Sequence, residues 1–190
     1  MPFNIPNSLT WARIALIPFF VGIYYFPDNV ISPEDKNFAA TLTFIVAAVT
    51  DWFDGYLARS LGQTSAFGAF LDPVADKLMV AAALIVLVHL GRVDSLIALV
   101  IIGREITISA LREWMAKVGA SGSVAVAFVG KLKTAAQMSA IPLLLIEAPV
   151  MGFDSLKLGT LLIYVAAVLT LWSMGYYMRC AWPELSKRSR

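Results

Sequence analysis

A chain of 190 residues that is 59% hydrophobic and only 15% charged is far more apolar than a soluble domain, whose apolar share is about 45–50%. A chain this short has too much surface to hide the excess in a water-soluble core. The net charge of +2 is too small to argue for a nucleic-acid partner.

The lone cysteine, Cys180, excludes an internal disulfide and cysteine-based metal spacing and reads as an inert helix residue. The lone histidine, His89, argues against a histidine-rich metal site and reads as a loop or interface residue. No repeat or hydrophilic linker divides the chain, so residues 1–190 are expected to form a single membrane domain. It should be all-α, because an open sheet leaves unpaired backbone groups in lipid.

Residues 1–8 contain no lysine or arginine, so the first apolar segment reads as a retained helix and not as a signal peptide. Six apolar helical segments follow in order: about 8–26, 38–58, 73–90, 95–111, 133–146 and 156–178. Turn-forming stretches separate them, among them Phe26-Pro27-Asp28-Asn29, Gly91-Arg92-Val93-Asp94, Gly119-Ala120-Ser121-Gly122 and Met151-Gly152-Phe153-Asp154. Lysines and arginines cluster in 59–77, in 112–133 and in the tail at Arg179, Lys187, Arg188 and Arg190. Asp28, Glu34, Asp35, Asp94, Glu147 and Asp154 flank the other ends. The positive-inside bias then places both termini and the 59–77 loop in the cytoplasm.

Asn7 and Ser8 read first as caps on an interfacial helix with Arg13 snorkelling; a nucleotide role for Asn7, Thr10 or Arg13 is the alternative. The chemically loaded segment comes next: Asp51-Trp52-Phe53-Asp54-Gly55-Tyr56-Leu57-Ala58-Arg59, then Gly68-Ala69-Phe70-Leu71-Asp72-Pro73-Val74-Ala75-Asp76. A spacing of three puts Asp51 and Asp54 on one helical face, and a spacing of four does the same for Asp72 and Asp76. Four carboxylates beside a bilayer repel one another and take up protons unless divalent cations neutralise them. Oxygen-only ligands favour magnesium, manganese or calcium over zinc.

Gly55 and Gly68 let a ligand approach the backbone, Ala58 keeps that face low, and Arg59 can pair with a phosphate oxygen. Together they describe a pyrophosphate pocket. The plainer reading makes Asp72 the cap of a helix whose first residue is Pro73, the glycines packing or loop residues, and Arg59 an interfacial anchor.

These eight positions match, at every fixed offset, the signature of the CDP-alcohol phosphotransferase family, which the chain therefore resembles. The resemblance implies six transmembrane helices, a dimer, and an active site open to the cytoplasmic face of the bacterial inner membrane. It implies two divalent cations, Mg²⁺ or Mn²⁺, held by Asp51, Asp54, Asp72 and Asp76, with Asp76 also the base. It assigns CDP binding to Asp54, Gly55, Ala58, Arg59 and Gly68, with Asn7 and Thr10 as further candidates.

The likeness extends over nearly the full chain to the branch of that family that acts on glycerol 3-phosphate. It rests on Asn4-Ile5-Pro6-Asn7-Ser8-Leu9-Thr10 with Arg13, on Arg104-Glu105-Ile106-Thr107-Ile108-Ser109-Ala110-Leu111-Arg112-Glu113-Trp114-Met115, and on Gly130-Lys131-Leu132-Lys133-Thr134-Ala135-Ala136-Gln137. It implies transfer of a phosphatidyl group from CDP-diacylglycerol to glycerol 3-phosphate, giving phosphatidylglycerophosphate and CMP in phospholipid biosynthesis. Serine, inositol phosphate or phosphatidylglycerol as acceptor is the alternative within the family. A transporter is the alternative outside it.

The residues support a phosphorylated acceptor on their own account, because cations within a membrane need a partner. Positions 104, 108 and 112 share a helical face, so Arg104 and Arg112 can hold one phosphate dianion with Lys131 and Lys133 nearby. Alternatively, Arg104 pairs with a carboxylate on another helix, and the lysines are interfacial anchors. Glu105 points about 100° away from Arg104 and reads as a poor partner for it.

Overall fold

The computed structural model describes residues 5–60, 66–117, 128–150 and 152–188. The described residues form six helices: α1 Ile5–Gly22, continued by a 3-10 turn at Ile23–Tyr25, α2 Pro33–Ser60, α3 Ala66–His89, α4 Ser95–Lys117, α5 Phe128–Ile146 and α6 Ser155–Arg188. One isolated bridge pairs Val150 with Phe153 in the turn before α6. All six apolar segments are helical, and several helices outrun the segments that announced them. The 28 residues of α2 and the 34 of α6 make rods of about 42 and 51 Å at 1.5 Å per residue, against roughly 30 Å of hydrocarbon. Hydropathy marks only the apolar part of a helix, and the backbone ladder continues through the charged part.

Two expectations at helix starts are corrected. Because α3 begins at Ala66, Asp72 is not an N-cap and Pro73 lies inside the helix. Because α1 begins at Ile5, Asn7 and Ser8 lie within its first turn and do not precede it. Pro18 and Pro142 are also inside helices, a placement that membrane helices tolerate when neighbouring elements take up the freed backbone groups.

One buried cluster joins every helix: Phe20 from α1, Phe44 from α2, Leu84 and Leu87 from α3, Ile101 from α4, Leu144 and Leu145 from α5, and Ile163 from α6. Helices α5 and α6 approach each other closely at Gly159. A Cβ added at Gly159 would lie 2.8 Å from Leu144 Cγ, so any larger residue there would push the pair apart.

On the outside the polarity runs the other way. Phe38, Leu42, Ile45, Val49 and Phe53 form an exposed stripe along α2, and Leu161, Val165, Val168 and Trp172 form another along α6. Large apolar stripes of this kind are rare on soluble monomers and are stable when lipid is the solvent. The stretch Ser155–Cys180 is by itself long and apolar enough to cross a membrane, and Leu9–Tyr25 is a shorter apolar helix. The described residues are all-helical, with an outer surface that suits lipid.

One end of the bundle is clamped by charge. Arg92, between α3 and α4, donates to the carbonyls of Leu144 and Leu145 at 3.0 and 2.8 Å, satisfying groups that the end of α5 leaves open. It also pairs with Glu147, which stands just past α5 at a φ of 51°, and donates to Asn37 Oδ1 on α2 at 3.1 Å. Lys36 pairs with Asp28 at 2.6 Å and Lys157 with Asp154 at 3.2 Å. Asp154 also accepts the Lys157 N–H at 3.2 Å; that bond and the nearby ammonium hold its carboxyl below the usual range. The cations at this end are each matched by an acid. The opposite end holds the signature.

Candidate active site

The helices alternate in direction, so the start of α1, the end of α2, the start of α3, the second half of α4, the start of α5 and the second half of α6 meet at that opposite end. Asp51 is the nineteenth residue of α2, about 27 Å from its beginning. Its carboxylate forms an ion pair with Arg13 of α1. Arg13 is 1% exposed, which corrects the expectation of a snorkelling residue: the guanidinium turns inward because a carboxylate on the neighbouring helix offers a better partner than the interface does. Arg13 and Asp76 line one small void together with Phe44, Ala47, Met79 and Met138. Asp76 therefore lies near the Arg13–Asp51 pair.

Asp72 is fixed from the same helix. Thr10 Oγ1, 1% exposed, donates to Asp72 Oδ1 at 2.5 Å. Thr10 and Arg13 are three residues apart and so share a face of α1, which presents one donor to each of two signature helices. Asp51 and Asp72 are half-buried and Asp76 is exposed. Among the described residues no three acidic, histidine or cysteine side chains are grouped closely enough to hold a metal ion. The side chains at Asn7, Asp54, Gly55, Ala58, Arg59 and Gly68 lie outside the described residues. The donors available are carboxylate oxygens, a set suited to hard divalent cations.

A second feature adjoins the first. An open cavity of about 380 Å³ lies between α4, α5 and α6, and Arg104, Arg112, Lys131, Glu105, Thr134 and Tyr177 line it. Arg104 and Arg112 meet there, as their shared helical face requires. Both guanidinium groups lie against the ring of Tyr177, 5.6 and 5.2 Å from its centroid. Arg112 Nη2 donates to Tyr177 Oη at 3.0 Å, and Arg104 Nη2 donates to Ser173 Oγ at 3.1 Å.

Glu105 departs from expectation. Its Oε1 lies 3.6 Å from Arg104 Nη1, because the 100° separation applies where the two side chains leave the helix and their tips curl towards a common point. Its nearer partner is Lys133 on α5. Lys133 is 2% exposed and is not among the cavity-lining residues, whereas Lys131 is exposed and lines it. Among the described residues the hydrogen-bond partner of Arg104 on another helix is the Ser173 hydroxyl and not a carboxylate. The Glu105–Lys133 pair was open to inference from the sequence, since an acid and a base in two membrane helices are natural partners. Tyr177, in the run Gly175-Tyr176-Tyr177-Met178, carried no comparable signal.

Comparison with known proteins gives a consistent result. Residues 3–172 match the family model described as CDP-alcohol phosphatidyltransferase. The chain is 53% identical over 188 residues to a protein of Shigella flexneri serotype 5b (strain 8401), covering 97% of this chain and 98% of that one. It is 52% identical, with the same coverage, to a protein of Escherichia coli (strain K12). Both relatives bear the name CDP-diacylglycerol–glycerol-3-phosphate 3-phosphatidyltransferase.

Proposed function

Because the chain belongs to the CDP-alcohol phosphatidyltransferase family, we infer that it transfers the phosphatidyl group of CDP-diacylglycerol to glycerol 3-phosphate, releasing CMP. The observation that carries the choice of acceptor is the cavity of Arg104, Arg112 and Lys131 beside the signature carboxylates. Three cations around one opening suit a phosphate dianion. Serine or phosphatidylglycerol would offer no such dianion.

In this reading the nucleotide end of the donor lies against Gly55, Ala58, Arg59 and Gly68, with Asn7 and Thr10 nearby, and the acyl chains remain in lipid. Glycerol 3-phosphate enters from the cytoplasmic side, and Arg104, Arg112 and Lys131 hold its phosphate. Asp76 takes the proton of the terminal hydroxyl, whose oxygen forms a bond to the β-phosphorus as the bond from that phosphorus to the bridging oxygen breaks. The electron pair leaves with CMP. Asp51, Asp54, Asp72 and Asp76 would hold two divalent cations, Mg²⁺ or Mn²⁺; when bound, these offset the negative charge that builds on the pyrophosphate in the transition state. Thr10 and Arg13 orient Asp72 and Asp51, and the buried Lys133 steadies Glu105 at the cavity wall.

Six membrane spans, both termini in the cytoplasm and an inner-membrane location accord with the alternating helices, the apolar outer stripes and the paired-off charge at the far end. A homodimer is part of the same proposal, and the whole chain is taken as one catalytic domain. The test is CMP release by the purified protein with CDP-diacylglycerol and a panel of acceptors: glycerol 3-phosphate, glycerol, serine, inositol phosphate and phosphatidylglycerol. Activity with glycerol 3-phosphate and little with glycerol is the expected result. Equal rates with both would refute the phosphate pocket, and the absence of CMP release with every acceptor would refute the enzyme reading.

A further inference from the structure

The geometry points to Tyr177, assisted by Ser173, as the positioning residue that turns two arginines on one helix into a single binding site for the phosphate of the acceptor. The inference rests on the acceptor cavity described above and assigns a role to residues of α6 that lie beyond the stretch 3–172 shared with the family model.

Arg104 and Arg112 are eight residues apart, so about 12 Å of helix axis separates their backbones. Two like-charged guanidinium groups repel each other, so their shared face permits a common target without holding them on it. The structure draws both to a common point. Their carbons lie 5.6 and 5.2 Å from the centroid of the Tyr177 ring, whose π face attracts cations. Arg112 Nη2 donates to the phenol oxygen at 3.0 Å and Arg104 Nη2 to Ser173 Oγ at 3.1 Å.

Ser173 and Tyr177 are four residues apart, so α6 presents both on one face towards α4. They are 1% and 0% exposed, and Ile108, Met115 and Tyr177 form their own buried cluster. The ring is therefore held by packing, and its position does not depend on the arginines it gathers. Neither side chain carries a charge to offer an acceptor. Their contribution is the convergence of the arginines. Loss of the ring should weaken phosphate binding and leave the nucleotide lipid unaffected.

The test is steady-state kinetics of the purified full-length enzyme, with glycerol 3-phosphate and CDP-diacylglycerol varied separately. Arg104→Ala and Arg112→Ala serve as controls for the cavity itself, and each should raise KM for glycerol 3-phosphate at least tenfold. If neither does, the acceptor-cavity reading fails, and this inference fails with it. Where the controls behave as expected, Tyr177→Leu should raise KM for glycerol 3-phosphate about tenfold with KM for CDP-diacylglycerol within twofold of the unmodified enzyme. Tyr177→Phe keeps the ring and loses the hydroxyl, so its rise should be about threefold, and Ser173→Ala should behave similarly. Tyr177→Phe decides the matter if the leucine variant fails to fold. Unchanged KM for glycerol 3-phosphate in these variants, or parallel loss towards both substrates, would make Tyr177 a packing residue only and overturn the assignment.

Discussion

Thr10 Oγ1 on α1 donates a 2.5 Å hydrogen bond to Oδ1 of Asp72 on α3, across 62 residues of sequence. The hydroxyl is buried, so the bond is shielded from competing water. Hydrogen bonds to charged groups contribute about 1.5–3 kcal/mol, which sets a ceiling of roughly ten- to a hundredfold on what orientation of Asp72 can be worth. Thr10→Val, nearly equal in volume, should lower the transfer rate about tenfold and raise the metal concentration needed for half-maximal activity. Thr10→Ser should keep most of the rate. A valine variant with unchanged rate and metal dependence would show that Asp72 needs no such support.

The carboxylates themselves are expected to act as metal ligands. Asp51→Asn, Asp54→Asn and Asp72→Asn each remove a charge at little change in size, and each should lower CMP release more than a thousandfold while the protein still inserts and elutes as the unmodified protein does. Chelation should silence the unmodified enzyme, and magnesium or manganese should restore it. Full activity in excess chelator would end the metal proposal.

The carboxylate pattern was legible in sequence because its spacing is local: three and four residues along a helix bring side chains to one face whatever the rest of the chain does. The six helices were legible for a similar reason, since lipid leaves backbone groups no other partner. What α1 does was not. Arg13 and Thr10 reach Asp51 and Asp72 only through tertiary packing, and an arginine near a membrane surface is read as a snorkelling residue until its partner is known. Helix ends were misread where hydropathy stops before the hydrogen-bond ladder does, as at Ala66. On α6 the usual burial rule inverts, so Ser173 faces inward while Trp172 is 73% exposed. A rule placing polar residues inward would have found Ser173, but Tyr177 has a near twin at Tyr176, which is exposed; only the fold tells the two apart.

Lys133 and Glu105 are expected to show the asymmetry of buried ion pairs. Removing one partner leaves an uncompensated charge and costs about 3–5 kcal/mol, whereas replacing both by apolar groups of similar shape is often near neutral. Glu105→Gln should therefore lower the thermal midpoint of the detergent-solubilised protein by several degrees. The double variant Glu105→Gln with Lys133→Met should recover most of that loss. Additive destabilisation in the double variant would show that the two residues act independently and that Lys133 is satisfied by something other than Glu105.

Asp76 differs from Asp51 and Asp72 in being exposed, while those two are held by Arg13 and Thr10. A carboxylate tied to a structural donor is well placed as a fixed ligand, and one left open to the cleft is better placed to accept a proton. Loss of rate alone does not separate the roles, because neutralising either kind of group stops the reaction. Binding does. Asp76→Asn should keep CDP-diacylglycerol binding within a fewfold of the unmodified enzyme at saturating metal, since three carboxylates remain, and should lose the chemical step by more than a thousandfold. Asp51→Asn should lose nucleotide-lipid binding and rate together. A metal titration of CDP-diacylglycerol binding in the two variants distinguishes them: if binding falls equally in both, Asp76 serves as a ligand and the proton of the acceptor hydroxyl goes to another group.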